Sequence, residues 1–264
     1  MPKLSILVPF FNEEENVLPL LSEIRAVCDA LGQAYEAIFV NDGSTDATGQ
    51  RLNEVAKDWP EARPLHSRVN HGQAAALFAG MKQATGEILV TLDGDGQNDP
   101  SDIPRLLAAL GDFDMVAGVR ARRRDSWLRL AMSRLANSVR SCLLRDGLRD
   151  TGCALKAFRR EVVESFIPIR TLYSFMGAMA VAAGFRICQL EVAHRPRTRG
   201  QSKYGLSVFW WKPLIDMIGV YWFSRRRIPG RIMGISTMRA PYRRISSKSS
   251  ASMNEPSEVR RTFS

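Results

Sequence analysis

The chain has 264 residues, 45% of them hydrophobic, enough to bury one large core and too apolar for an intrinsically disordered protein. Its net charge of +10 is unevenly placed: residues 1–119 carry 8 basic and 18 acidic side chains, 120–149 carry 9 and 2, 150–224 carry 10 and 5, and 225–264 carry 10 and 2. A simple basic nucleic-acid module would leave the acidic half unexplained, so the split points to a metal in one half and an anionic partner, not nucleic acid, in the other.

In chain order, Lys3 to Phe11 predicts an apolar strand broken at Asn12. Glu13, Glu14 and Glu15 then open a helix from Glu14 to about Leu31, with Leu18, Leu21, Ile24 and Val27/Cys28 on one face. Pro9, Asn12 and these glutamates interrupt the apolar run, which argues against a signal peptide. Tyr35 to Val40 predicts a second strand, with Ser44 or Thr45 placed to cap a helix running to about Trp59. Pro64 to Val69 reads as a weaker strand, Gln73 to Gln83 as an Ala-rich helix, and Glu87 to Leu92 as a buried parallel strand. Such alternation argues for an α/β sheet, mostly parallel, with helices on both faces, and ligands bind such sheets at the carboxyl ends of the strands. Pro9, Asp42 and Asp93 all fall at those ends.

Beyond the strand at Glu87–Leu92 comes Asp93-Gly94-Asp95-Gly96-Gln97. Residues two apart on an extended chain point the same way, so Asp93 and Asp95 can converge, and the glycines let the backbone bend. Two hard oxygen ligands completed by phosphate and water suit Mg²⁺ or Mn²⁺, although Asp and Gly also make ordinary acidic turns. Asp42-Gly43-Ser44 is similarly open: an acceptor for a base or ribose, or a turn and a helix cap. His71 is assigned no chemistry. The chain lacks G-x-G-x-x-G and G-x-x-x-x-G-K-[ST], so dinucleotide and P-loop sites lack their phosphate cradles. The three strand ends together predict a nucleotide or sugar-phosphate site with a divalent metal.

After a strand at Met115 to Val119 the character changes. Arginines from Arg120 to Arg149 interleave with Trp127, Leu128, Leu130, Met132, Leu135, Val139 and Leu143, and residues 126–145 predict a basic amphipathic helix. Its charged face is either solvated or laid on anionic headgroups. Asp150-Thr151-Gly152-Cys153 precedes a strand-like run, Ala154 to Phe158. Val192 to Leu206 is either a linker or a phosphate-binding loop, with Arg195, Arg197, Arg199, Lys203 and Ser202 as donors. Ser207 to Phe223 is aromatic and apolar but interrupted by Lys212, Pro213 and Asp216, too broken for a membrane span of ~20 apolar residues. Trp210, Trp211, Tyr221 and Trp222, then Arg225–Arg227, give it the look of an interfacial segment. From about Gly230 the chain loses periodicity and is expected to be disordered. Cys28, Cys142, Cys153 and Cys188 form no C-x-x-C pair, which fits reduced thiols in a cytosol.

The ordered set VPFFNEEENV (8–17), VNDGSTDAT (40–48), NHGQAAALFAG (70–80), LDGDGQNDP (92–100), GVR (118–120), SRLAN (133–137), DTGCALKAFRRE (150–161) and PRTRGQSKYG (196–205) resembles glycosyltransferase family 2, and within it the polyprenyl-phosphate glycosyltransferases of the dolichyl-phosphate mannose synthase type. The resemblance implies a GT-A fold and inverting transfer of a sugar from a nucleotide-sugar, UDP- or GDP-linked, to a polyprenyl phosphate. It implies that Pro9, Glu13 and Asp42 hold base and ribose, that Asp93 and Asp95 bind the metal with help from Gln97, and that Arg120 and Arg134 grip the lipid phosphate. Asp150 matches an aspartate sometimes proposed as a base, and Arg197, Ser202 and Lys203 match a loop that closes over donor and acceptor. Orienting a neighbouring cation would suit Asp150 equally, because a phosphate acceptor is already anionic.

Two departures stand out. The usual D-A-D-L-Q is D-G-D-G-Q here, which predicts a more mobile loop, and Gln73 replaces a common lysine, so a phosphate contact there is not carried over. The expected layout is a catalytic domain at 1–206, a membrane-interface segment at 207–229 and a tail at 230–264. The expected location is the cytoplasmic face of the inner membrane, peripherally on its anionic surface, with the product passed to a separate membrane protein for cell-envelope glycan modification. The rival reading is a family 2 enzyme with a polysaccharide acceptor, which needs neither Arg120, Arg134 nor the aromatics of 207–227.

Overall fold

The structure is a computed structural model that describes residues 2–120, 138–196 and 212–227. Seven strands form one sheet: β1 (Leu4–Phe10), β2 (Tyr35–Asp42), β3 (Ala62–Ser67), β4 (Ile88–Thr91), β5 (Met115–Arg120), β6 (Lys156–Arg159) and β7 (Ile187–Val192), in the spatial order β3-β2-β1-β4-β6-β5-β7. Strand β6 runs antiparallel to both its neighbours, while the other pairings are parallel. The helices are α1 (Glu14–Ala30), α2 (Thr48–Lys57), α3 (Gln73–Gln83), α4 (Ile103–Leu110), α5 (Leu172–Ala182) and α6 (Lys212–Arg226).

Strand alternation divides the core in two. Ile6, Val8 and Phe10 of β1 join Phe39, Val17, Leu21, Ile24, Leu52, Trp59 and Leu106 on one face, beneath α1, α2 and α4. Leu7, Ile38, Val40 and Leu89 join Leu77, Met81, Phe175, Met176 and Met179 on the other, beneath α3 and α5. Both faces being covered is why these strands read as continuous apolar runs. The α3 bounds agree with the expected helix, and β3 lies two residues earlier than expected. Helix α5 and strand β7 had no clear signature, because α5 is apolar on nearly all sides and buried.

The cap expected from Ser44 or Thr45 is not formed. Ala47 occupies the N-cap of α2 without a side-chain bond, and Asp46 Oδ1 accepts the Thr48 N–H at 3.0 Å. Ser44 Oγ instead accepts the Asn12 N–H at 3.0 Å, and the Thr45 N–H reaches Asn12 Oδ1 at 2.8 Å, joining the loops after β1 and β2. Asn12 adopts φ 49°, which asparagine tolerates better than most residues.

At the opposite end of the sheet the buried Glu36 carboxylate accepts from the Ser5 hydroxyl at 2.8 Å, the Thr85 hydroxyl at 2.7 Å, the Thr85 N–H at 2.5 Å and Arg63. Burial works to raise its pKa, but these donors outweigh it and take the group from 4.5 down to about 2. A depressed pKa contributes stability above the unfolded value that is lost as pH falls through the folded one. Glu36→Gln is expected to cost about 2 kcal/mol at neutral pH, and the gap from wild type to close between pH 4.5 and 2 in urea unfolding curves.

Of the predicted helix at 126–145, residues 138–144 are helical and Arg145 ends the run at φ 53°; the portion before residue 138 lies outside the described residues. Arg140 does not belong to a surface charge stripe. It is 5% exposed, ion-paired through Nε to Asp146 Oδ2 at 3.0 Å, and donates to the Thr151 hydroxyl at 2.6 Å and to the Leu148 carbonyl. No helix among the described residues is long and apolar enough to cross a membrane. Helix α6 packs Met217 and Val220 inward and leaves Ile215, Ile218 and Trp222 at 66%, 62% and 61% exposure, one apolar stripe facing outward.

Candidate active site

The carboxyl ends of β1, β2 and β4 lie side by side because β1 pairs with both neighbours, with Phe10 opposite Asn41 and Leu7 opposite Thr91. This brings Pro9, Asp42 and Asp93 to one edge, as their places in the sequence predict. Glu13 is buried there, accepting from Asn16 Nδ2 at 2.6 Å while its own N–H donates to Thr48 Oγ1 at 2.9 Å.

Asp42 is 3% exposed and fastens the chain that leads into α3: Oδ1 accepts the His71 N–H at 2.9 Å and Oδ2 the Gly72 N–H at 2.8 Å. Gly43 makes this closure possible. Its φ is +68°, and a Cβ would come within 2.4 Å of the Val69 carbonyl carbon. The first residue of α3, Gln73, then donates from Nε2 to Asp93 Oδ1 at 2.5 Å. Gln73 is thus tied to the D-G-D loop, and its trace in the sequence is that it stands where the resembled family commonly has a lysine.

The loop after β4 is held rather than loose. The Asp93 N–H donates to Asn98 Oδ1 at 3.0 Å, and Asp95 Oδ1 accepts the Gln97 N–H at 3.1 Å. A Cβ on Gly94 would lie 2.6 Å from both the Pro9 carbonyl oxygen and the Phe10 ring. The glycine at position 94 therefore meets a demand for close packing of this loop on the end of β1. Asn98 bridges to His194, the Arg195 N–H donates to the Gln97 carbonyl at 2.9 Å, and the Arg195 guanidinium pairs with Asp99 at 2.9 Å and Glu23 at 2.7 Å. The loop after β4 and the residues just after β7, His194 and Arg195, are thereby pinned together.

A second half of the site lies beyond β6. Asp150 forms a bidentate pair with Arg120, Oδ2 to Nε at 2.8 Å and Oδ1 to Nη2 at 2.8 Å, and also accepts the Arg120 N–H at 3.2 Å and the Gly152 N–H at 3.1 Å. Between the halves stands Lys156, which the sequence reading passed over. It lines a small pocket with Pro9, Gln73, Asp93, Tyr173 and Met176, is 2% exposed, and donates to the Cys153 carbonyl. Burial pushes its pKa down, while Asp93 and Asp150 work against that shift. Its one signal was a lone lysine inside the strand-like run 154–158. Arg134, Arg197, Ser202 and Lys203 lie outside the described residues.

The donor set fits a hard divalent cation. Asp93 and Asp95 are half-buried carboxylates on a bent loop, and no group of three or more His, Cys, Asp and Glu gathers as a metal cage among the described residues. Such a pair suits an ion completed by phosphate oxygens and water.

A family model described as glycosyl transferase family 2 matches residues 5–166. An undecaprenyl-phosphate 4-deoxy-4-formamido-L-arabinose transferase from Aeromonas hydrophila is 37% identical over 204 residues, covering 76% of this chain and 63% of that protein. The protein of the same name from Pseudomonas aeruginosa PAO1 is 38% identical, covering 76% of this chain and 60% of that one. The chain thus spans about three fifths of the length of these curated relatives. Among solved structures, a glucosyl-3-phosphoglycerate synthase from Mycobacterium tuberculosis bound to UDP aligns with TM-score 0.62 at 19% identity, covering 84% of this chain and 80% of that one. A mannosyltransferase from Pyrobaculum calidifontis in complex with GDP-Man and Mn²⁺ aligns with TM-score 0.61 at 20% identity, covering 86% and 65%. These two likenesses establish the GT-A fold.

Proposed function

The chain belongs to glycosyltransferase family 2, and we propose that it transfers a sugar from a nucleotide-sugar to a polyprenyl phosphate, with inversion at the anomeric carbon. The observation that carries this reading is the adjacency of two chemically distinct halves: Gln73 and the Asp93–Asp95 pair at the end of β4, and the Arg120–Asp150 clamp at the end of β5. The names of the curated relatives support the choice of acceptor.

In this reading Pro9, Glu13 and Asp42 line the base and ribose side, and Asp93 and Asp95, helped by Gln97, would hold Mg²⁺ or Mn²⁺. The ion would neutralise charge on the departing nucleoside diphosphate. Arg120, held by Asp150, presents its guanidinium to the acceptor phosphate, with Arg134, Arg197, Ser202 and Lys203 as further donors. An anionic phosphate oxygen is already a nucleophile, so the protein's task is to place it in line with the anomeric carbon. Asp150 is assigned to orienting Arg120. The outward stripe of Ile215, Ile218 and Trp222, followed by Arg225, Arg226 and Arg227, supports attachment to an anionic membrane surface where such an acceptor resides. Handing the product to a separate membrane protein completes the reading.

The test is an assay with purified protein, Mn²⁺ or Mg²⁺, undecaprenyl phosphate in detergent or anionic vesicles, and a panel of UDP- and GDP-sugars, read by mass spectrometry. A metal-dependent polyprenyl-phosphate-sugar is expected. Metal-dependent hydrolysis of a nucleotide-sugar with no glycolipid would overturn the acceptor assignment in favour of a polysaccharide.

A further inference from the structure

We propose that Lys156 makes the cation site selective: it disfavours a bare divalent ion and favours one that arrives bound to a diphosphate. The topology places this residue where it can act on both halves of the site. Strand β6 is the antiparallel insertion between β4 and β5, and Lys156 is in register with Thr91 on one side and Ala117 on the other. Thr91 is two residues before Asp93, and Ala117 three before Arg120. The side chain is 2% exposed, its Nζ donates to the Cys153 carbonyl, and Cys153, Asp93, Asp150 and Arg120 all act on it electrostatically.

Charges in that position are poorly screened by water, so their signs matter more than they would at the surface. Asp93 and Asp150 act on Lys156 as negative charges and Arg120 as a positive one. A bare divalent ion brings its full charge against a buried ammonium. A divalent ion that carries a diphosphate does not, and the same ammonium attracts the phosphate oxygens. Lys156 thereby couples loading of the metal to arrival of the donor, sparing the site from idle occupation by free metal. This inference deepens the nucleotide-sugar reading and rests on it.

The experiment is a Mn²⁺ titration of the purified protein, following the free-ion signal by electron paramagnetic resonance, alone and with UDP or GDP. Lys156→Met removes the charge at similar length, Lys156→Gln removes it but can still donate to the Cys153 carbonyl, and Lys156→Arg keeps it. Both neutral variants are expected to bind bare Mn²⁺ about tenfold tighter and the Mn²⁺–nucleoside diphosphate pair about tenfold weaker, with Lys156→Arg within about threefold of wild type. Damage to packing alone would weaken both kinds of binding, so the opposite signs identify the electrostatic role. Should Lys156→Met fail to fold by circular dichroism, Lys156→Gln decides the sign. Bare Mn²⁺ binding that is unchanged or weaker in the folded neutral variant overturns the inference and leaves the glycosyltransferase reading untouched. Wild type that takes up Mn²⁺ with neither nucleotide overturns both.

Discussion

Asp95→Asn is expected to cut metal-dependent sugar transfer by about a thousandfold, equivalent to about 4 kcal/mol of transition-state stabilisation, with the fold intact. Asp95 is one of two carboxylates on the loop after β4, and its Oδ1 accepts the Gln97 N–H at 3.1 Å. An asparagine oxygen can accept that same bond, so the loop keeps its turn while the site loses a charged hard ligand. The signature is therefore specific: an unchanged melting temperature without ligand, and loss of the extra stabilisation that Mn²⁺ with a nucleoside diphosphate gives the wild type. Turnover near the wild-type rate would remove Asp95 from the metal site. A large fall in melting temperature without ligand would mean that the carboxylate is needed for the loop itself.

The second large effect concerns Asp150. A carboxylate offers about four lone-pair positions, and those of Asp150 face Arg120 Nε, Arg120 Nη2, the Arg120 N–H and the Gly152 N–H. A general base needs a lone pair directed at the proton it removes. This geometry is the ground for proposing that Asp150 aims a guanidinium. Asp150→Asn is expected to raise the acceptor KM by about tenfold to a hundredfold, with the donor KM within about threefold. The acidic limb of the pH–rate profile should survive the substitution. Its loss, together with a fall in kcat at unchanged acceptor KM, would restore Asp150 as a base. Because removing one partner of a buried ion pair costs about 3–5 kcal/mol, the comparison belongs at a temperature where circular dichroism shows the variant folded.

Much of this site was legible in the one-dimensional chain, and the reason is topological. In a parallel sheet the residue after each strand is delivered to one edge, so Pro9, Asp42 and Asp93 announce a common site before any coordinates exist. Polar residues that end apolar β-branched runs are conspicuous for the same reason. Gln73 stood out only as a departure from a common lysine, and Lys156 not at all. Gln73 reaches the loop after β4 because Asp42 clips the His71 and Gly72 amides and so fixes where α3 begins. Lys156 reaches it only because β6 enters the sheet against the direction of its neighbours. Arg140 was misread for a related reason: among so many arginines nothing local marks the one that turns inward to Asp146.

The sequence by itself determined the strand–helix alternation, the acidic strand ends, the division of charge along the chain and the family motifs. All of these depend on local period, on residue chemistry at fixed spacing, or on order along the chain. Only the tertiary structure decided that Gly94 is demanded by packing against Pro9 and Phe10, that Asp150 is spent on Arg120, and that a buried lysine lies between the two halves of the site. Those facts depend on long-range register, on which residue of one strand faces which residue of another. Side-chain spacing along a single chain carries no record of that register.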